Sequence, residues 1–192
     1  HKNMPNALEV IVSDPELKID ALILPGHVST IIGTKPYEFL AEKYGIPGVI
    51  TGFEPVDVLQ GIAMIMRQLH EGRAEIEIAY SRGVMREGNP VALAAIDEVF
   101  DTVDATWRGL GVIPGSGYAI REEFEDFDAV KRFHPEVEPT QNPKGCRCGD
   151  VLRGIMAPDE CPLFRKVCTP ENPVGPCMVS SEGSCAAYYR YY

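Results

Sequence analysis

The stretch GVITGFEPVDVLQGIAMIMRQLHEG, residues 48–72, decides the fold class of this chain. It opens with the continuous apolar run GVITG (48–52), which is typical of a strand covered on both faces. The following residues show a helical pattern, with apolar side chains at Leu59, Ile62, Met66 and Leu69. A buried strand that leads into a long helix predicts one unit of a parallel α/β sheet.

The start of this helix carries its own signals. Thr51 and Glu54 have the spacing of a capping box, in which two side chains satisfy free backbone N–H groups. Pro55 suits a first helical turn, where no backbone donor is needed. We therefore expect the helix to begin at about residue 54.

Similar units flank this stretch on both sides. The run IDALILPG (19–26) predicts a second buried strand, and the alternating EIEIAYS (75–81) predicts a strand at the sheet edge. PYEFLAEKYG (36–45) predicts a helix that stops at Gly45, and NPVALAAIDEVFD (89–101) predicts another. Alternating strands and helices are typical of a parallel sheet, so residues 1–120 are predicted to form an α/β domain.

The pattern changes after the glycine-rich TWRGLGVIPGSGYAI (106–120), which predicts a strand and a tight turn. Residues 121–144 are acidic and then proline-bearing, as expected of a short helix and a connector. Residues 145–192 have little periodicity and many prolines. Such a segment needs cross-links or a metal to fold, because it cannot build a sufficient apolar core.

Charge narrows the classes of partner. The formal net charge is −10, and an acidic body disfavours nucleic acid, whose affinity comes largely from basic side chains. We expect no membrane span, because no run of eighteen apolar residues occurs. The N-terminal HKNMPNALEV lacks the pattern of a secretory signal, so we expect a cytoplasmic protein. This first segment already has a helical pattern, and we expect it to be part of a longer chain.

All six cysteines lie in the last quarter of the chain, at Cys146, Cys148, Cys161, Cys168, Cys177 and Cys185. Three interpretations compete. Three disulfides suit a small secreted module, and zinc usually takes a C-x2-4-C pair, which is absent here. An iron–sulfur cluster tolerates irregular spacing and leaves two cysteines for a redox dithiol. Spacing alone leaves all three open.

The residues between the cysteines are more specific. The block GCRCGDVLRGIMAPDECPLFRKVCTPENPVGPCMVSSEGSCAAYY (145–189) strongly resembles the C-terminal end of HypD proteins, the maturation factors of [NiFe]-hydrogenases. The resemblance extends through LPGHVSTIIGTKPYEFL (24–40), GVITGFEPVDVLQGI (48–62) and YSRGVMREGNP (80–90). It covers essentially all 192 residues.

The resemblance implies a fold and a set of partners. HypD-like proteins have two Rossmann-like α/β domains and a third domain with a [4Fe–4S] cluster, so residues 1–120 should be Rossmann-like and residues 145–192 a small iron–sulfur domain. They associate with the chaperone HypC and hold iron while an Fe(CN)2(CO) unit is built. HypE delivers the cyanide, and the hydrogenase large subunit receives the finished unit.

The resemblance also implies roles for the cysteines, because the cluster surroundings are similar to those of ferredoxin:thioredoxin reductase, where a disulfide lies beside the cluster. The implied cluster ligands are Cys146, Cys161, Cys168 and Cys185. The implied redox dithiol is Cys148 with Cys177, and an exchange of Cys177 with Cys185 is the alternative. The mechanism that follows is an electron relay from the cluster through this dithiol towards the iron site.

A second candidate site follows the predicted strands, where open α/β sheets bind ligands. His27 comes directly after the first strand, and Glu54 and Asp57 come after the next. Each also has a purely structural interpretation, His27 as a loop residue and Glu54 as a helix cap. Arg82 and Asn89 lie in a segment that resembles the family near the cleft, and Asn89 is equally explained as a cap.

This chain departs from the family pattern at its start. HKNMPNAL resembles an internal segment of HypD, so the half implied to hold the iron should be absent. We expect a redox-active maturation scaffold rather than a conventional enzyme, unable to carry the Fe(CN)2(CO) unit alone. Two alternatives stay open: a zinc-stabilised structural module, and an enzyme acting on a small molecule at His27.

Overall fold

The computed structural model describes residues 1–107, 110–136 and 143–192. The strands are β1 (Leu22–Pro25), β2 (Gly48–Thr51), β3 (Ile76–Ile78), β4 (Phe100–Trp107) and β5 (Gly111–Ile120). The α-helices are α1 (Met4–Val12), α2 (Gly26–Ile32), α3 (Glu38–Tyr44), α4 (Pro55–Glu71), α5 (Pro90–Val99), α6 (Ala129–Phe133), α7 (Cys148–Leu152), α8 (Pro176–Val179) and α9 (Ser184–Tyr191). Short 3-10 helices cover Lys35–Tyr37, Glu122–Phe127 and Pro158–Glu160.

Strands β1, β2 and β3 form a parallel sheet in that order. Leu22 pairs with Gly48, and Gly48 pairs with Ile76, so the three strands end at the same edge. The prediction of a parallel α/β sheet is confirmed, and so is the edge position of β3 within the described residues. Strand β2 is buried throughout, whereas Ile23 of β1 is 47 % exposed, so only the central strand is covered on both faces.

Helix α4 has the predicted ends but not the predicted capping box. Pro55 opens it, and Gly72 closes it in the left-handed conformation, with φ 65°. The capping box is wrong, because Thr51 belongs to β2 and the side chain of Glu54 makes no capping hydrogen bond. The apolar stripe faces solvent, with exposed fractions of 66 % for Leu59, 43 % for Ile62, 60 % for Met66 and 42 % for Leu69.

The segment after α4 contains a predicted cap and an unpredicted hairpin. Asn89 Oδ1 accepts hydrogen bonds from the N–H groups of Val91 and Ala92, as expected for the start of α5. Strands β4 and β5 then form an antiparallel pair, longer than the predicted strand and turn. The amide of Asn6 on α1 donates to the carbonyl of Gly115 at 2.9 Å, which attaches the hairpin to α1.

The region after the hairpin is only partly described. A 3-10 helix and α6 follow, and Asp128 caps α6 by accepting from the N–H groups of Val130 and Lys131. The predicted short helix is therefore present. The middle of the predicted connector, residues 137–142, lies outside the described residues.

Two separate apolar clusters form the interior. The first lies between the sheet and helices α1 and α3, and its buried residues are Leu8, Val12, Leu24, Tyr37, Leu40, Ile46, Ile50 and Val84. The second is built around the cysteines of α7, α8 and α9. No helix in the described ranges has the length and apolar character needed to cross a bilayer. The mixed α/β fold is established, while the Rossmann-like and iron–sulfur assignments stay predictions.

Candidate metal and redox site

The six cysteines line one small apolar cavity. Five of them are less than one-tenth exposed, and Cys146 is partly buried. Phe164, Met178, Leu163, Val151 and Gly175 complete the walls. The cavity measures about 10 Å³, which is room for about one water molecule. A segment without periodicity thus folds around its sulfur atoms.

One pair of cysteines is covalently joined. Cys148, the first residue of α7, forms a disulfide with Cys177 on α8, and their Cα atoms are 6.2 Å apart. This is within the ordinary range for disulfides. Cys146, Cys161, Cys168 and Cys185 are free. This arrangement does not support the interpretation with three disulfides, and the bonded pair is the one named as the dithiol.

One free thiol is affected by the other three. Burial first, and then the neighbouring Cys161, Cys168 and Cys146, raise the pKa of Cys185 to about 11. The backbone N–H of Val174 donates to Sγ of Cys168 at 3.4 Å. A metal would displace the protons of these thiols, since only thiolates bind metal well. Cys146, Cys161 and Cys168 therefore lie close enough to Cys185 to act on its thiol.

Close packing shapes the cavity. A Cβ on Gly175 would meet Sγ of Cys146 well inside van der Waals contact, so this position accommodates only glycine without movement. Phe164 packs edge-on against Tyr188 and Tyr189, with ring centroids 6.0 and 5.8 Å away. Aromatic rings thus separate the sulfur atoms from solvent on the side of α9.

The donor set suits a thiolate-bound metal centre in number, chemistry and burial. Four thiolates are the ligands of a [4Fe–4S] cluster, and four thiolates also suit zinc. In the described ranges, no three His, Cys, Asp or Glu side chains are arranged to hold a metal ion as they stand. The thiols would have to move outwards to admit a four-iron cluster, because the cavity is nearly filled.

The second candidate site lies at the carboxyl ends of the parallel strands. His27, Glu54 and Asp57 line one open cavity of about 670 Å³, together with Phe53, Tyr80 and others. The structure therefore brings together the three cleft residues that the sequence named. The ring of His27 lies against Phe53, with centroids 5.1 Å apart.

Arg82 binds both cleft carboxylates. Its Nη2 donates to Oδ2 of Asp57 at 2.8 Å and to Oε2 of Glu54 at 3.3 Å. The hydrogen bond to Glu54 and the charge of Asp57 raise the pKa of Arg82 above its ordinary value. The guanidinium also lies over the Tyr80 ring, 5.0 Å from its centroid. The cleft therefore holds two carboxylates against one guanidinium, and it shares no lining residue with the cysteine cavity.

Sequence reasoning missed several residues around the cysteines. Arg165 adopts a left-handed backbone with φ 56°, donates to the carbonyl of Tyr189 and lies over the Phe164 ring. Arg153 binds Asp14, 139 residues away. No local pattern marks either residue, because both act through contacts that the folded chain creates.

The similarity of this chain to known proteins extends over its whole length. A family model described as "HypD: Hydrogenase formation hypA family" matches residues 1–192. The chain is 48 % identical over 198 residues to the hydrogenase maturation factor HypD of Cupriavidus necator, covering 100 % of this chain and 52 % of that protein. It is 47 % identical over 192 residues to a putative hydrogenase expression/formation protein of Methanocaldococcus jannaschii, covering 100 % and 53 %.

A third relative gives the same coverage. The hydrogenase expression/formation protein HupD of Azotobacter chroococcum is 47 % identical over 197 residues, covering 100 % of this chain and 52 % of that protein. The chain spans about half the length of the curated relatives it matches.

Proposed function

Since this chain belongs to the HypD family of hydrogenase formation proteins, we propose that it serves hydrogenase maturation as the redox-active part of the assembly scaffold. Its task is to deliver reducing equivalents through the cysteine cavity while an Fe(CN)2(CO) unit, the cargo, is built. The chain acts with a HypC-like chaperone and a HypE-like cyanide donor, and the hydrogenase large subunit receives the product.

One observation carries this proposal: a disulfide and four free thiols share a single buried apolar cavity. Zinc is redox-inactive, so four thiolates around zinc would have no use for an adjacent disulfide. An iron–sulfur centre exchanges single electrons, and a disulfide is reduced by two electrons. The combination favours redox transfer over a purely structural centre.

The residues have distinct tasks in this proposal. Cys146, Cys161, Cys168 and Cys185 would hold a [4Fe–4S] cluster, which supplies single electrons when bound. The Cys148–Cys177 bond takes up two electrons and two protons and becomes two thiols. Phe164, Tyr188 and Tyr189 keep water from the sulfur atoms, which protects the reduced state from side reactions.

The cleft has a binding task in this proposal. His27, Glu54 and Asp57 lie at the strand ends, where open α/β sheets bind ligands. Arg82 holds both carboxylates in place, so the cleft presents a fixed arrangement of polar groups to its partner. We propose that this surface faces the half of the family's chain that is implied to hold the iron.

The test is the metal content of the 192-residue chain, purified without oxygen after reconstitution with iron and sulfide. About four iron and four sulfide per chain are expected. The sample should lose part of its visible absorption when a one-electron reductant such as dithionite is added. Stoichiometric zinc without sulfide, or three disulfides without metal, would overturn the proposal.

A further inference from the structure

The end of α7 is joined to the α/β region by charged contacts that have no assigned role. Arg153 follows α7 and donates from Nη1 to Oδ2 of Asp14 at 2.5 Å. It also donates from Nη2 to Oδ1 of Asp150 at 2.5 Å. Its carbonyl accepts from the N–H of Lys18 at 3.1 Å. Arg153 therefore binds the loop between α1 and β1 through both its side chain and its backbone.

Each carboxylate in this network is fixed on both oxygens. The other oxygen of Asp14 accepts from the N–H of Glu16 at 2.8 Å. The other oxygen of Asp150 accepts from Nε of Arg147. These contacts lower the pKa of both carboxyl groups, for Asp14 first through the N–H of Glu16 and then through Arg153, and for Asp150 first through Arg147. Both therefore stay ionised at neutral pH.

The network ends between two cysteines. Arg147 lies in the sequence between Cys146, a free thiol, and Cys148, a member of the disulfide. The side chains of Arg153, Asp14 and Asp150 are only 24 %, 21 % and 15 % exposed, so water screens these contacts less than at an open surface. A set of contacts thus runs from the α/β region to Arg147, whose neighbour in the chain is Cys148 of the disulfide.

The backbone beside Arg153 is also closely packed. Gly154 has φ 66°, and a Cβ there would lie 2.7 Å from the carbonyl oxygen of Lys18. A glycine at this position lets the chain after α7 approach the α/β region without strain. The position of α7 is therefore set by several contacts at its C-terminal end.

We propose that Arg153 is a positioning residue for the Cys148–Cys177 disulfide. The biological role of this positioning rests on the proposed function. Reduction adds two electrons and two protons and breaks the S–S bond, so other contacts must then hold the two thiols together. Arg153 keeps α7 in place, and with it Cys148 opposite Cys177. The thiols keep a high effective concentration, which favours re-formation of the bond.

The test is a redox titration of the full 192-residue chain in mixtures of oxidised and reduced dithiothreitol. Alkylation followed by mass spectrometry of the peptides gives the reduced fraction of Cys148 and Cys177. Arg153→Ala and Asp14→Asn should each shift the equilibrium towards the thiols, by roughly five-fold, the size of a typical coupling between contacting residues. The double variant should shift it no further than one single variant.

Matched variants separate positioning from general stability. Lys43→Ala removes the ion pair between Lys43 and Glu9, which is 2.7 Å long and remote from α7, and should leave the equilibrium unchanged. Gly72→Ala destabilises the chain far from the cysteines and should also leave it unchanged. Arg153→Lys keeps the positive charge but has fewer hydrogen-bond donors, so its shift should lie between those of the unchanged chain and Arg153→Ala. This variant provides the test if Arg153→Ala does not fold.

The two proposals fail in different ways. If Arg153→Ala titrates like the unchanged chain, or if the two single shifts add, the positioning role is overturned. Equal shifts in Gly72→Ala would also overturn it. The redox titration does not depend on the metal content of the chain. A chain without iron would therefore overturn the proposed function, whereas the positioning role of Arg153 is tested by the titration alone.

Discussion

Arg82 and Asp57 join the loop after β3 to the first turn of α4, with 2.8 Å between Nη2 and Oδ2. The Asp57 side chain is 15 % exposed, whereas that of Glu54, the other partner of Arg82, is 71 % exposed. The two carboxylates therefore differ in how strongly water screens them, although both bind the same guanidinium.

The first prediction separates these two carboxylates. Asp57→Asn should lower the free energy of unfolding by about 1 kcal/mol, because it weakens a shielded ion pair and removes a negative charge from a helix start. Glu54→Gln should cost only about 0 to 0.5 kcal/mol, as expected of an exposed pair. Urea unfolding measures both, and equal losses would contradict the difference in shielding.

The second prediction concerns the division of the cysteines. Cys148→Ser should keep its iron and sulfide after reconstitution, because Cys148 is not one of the four free cysteines. Cys161→Ser should lose most of its iron, since a cluster would lose one of its four ligands. Iron analysis of the two variants side by side is the measurement, and iron loss from Cys148→Ser would show that the partition is wrong.

The third prediction concerns alkaline pH and the metal-free, reduced chain. The pKa of Cys185 is raised from 9.0 to about 11, chiefly by burial. Between these values the unfolded chain has released this proton while the folded chain still holds it. The contribution of Cys185 to stability should therefore be constant below pH 9 and be lost as the pH rises to about 11. Cys185→Ala should flatten this fall in pH-dependent urea unfolding, and an unchanged slope would contradict the assignment.

The fourth prediction compares two glycines. Gly175→Ala should reduce the iron content, because its new methyl group displaces the side chain of Cys146. Gly72→Ala should cost about 1 kcal/mol through its left-handed backbone and leave the iron content unchanged. Iron content and urea unfolding of both variants are the readouts. Full iron in Gly175→Ala would mean that the cavity wall yields easily.

The fifth prediction concerns the two faces of α4. Leu59→Gln should change the free energy of unfolding by less than about 0.5 kcal/mol, because the side chain is 66 % exposed. Ile65→Ala should cost about 2 to 4 kcal/mol, because the side chain is buried against the sheet. A large loss in Leu59→Gln, measured on the same chain, would place this face of α4 in the interior.

Local patterns in the sequence predicted most of the regular structure. Most strands and helices of residues 19–99 form where apolar periodicity and chain-breaking residues indicated, and Gly45 and Asn89 end and begin helices as expected. Helix α2 was not predicted, and it places His27 in a helix rather than in a loop. The capping box failed because Thr51 is held in β2 by strand pairing, which local spacing does not reveal. The apolar spacing predicted helix α4 itself but not which of its faces is buried, because periodicity identifies an apolar face and not the surface that covers it.

For the cleft and the cysteine cavity too, the sequence predicted one part and the folded structure decided the rest. The order of strands placed His27, Glu54 and Asp57 at one edge from sequence alone, because parallel strands end together. The spacing of the cysteines left three interpretations, and the family resemblance named the pair that the structure joins. The functional roles of the six cysteines stay predictions.

The sequence by itself determined the α/β pattern, the membership of the family and the presence of a sulfur-rich segment, because these depend on residue type and short-range order. The tertiary structure decided which thiols stay free, which face of α4 is buried and how Arg153 reaches Asp14. Such contacts join residues far apart in the chain, and their energy depends on distance and burial in the folded state. No local rule of spacing contains that information.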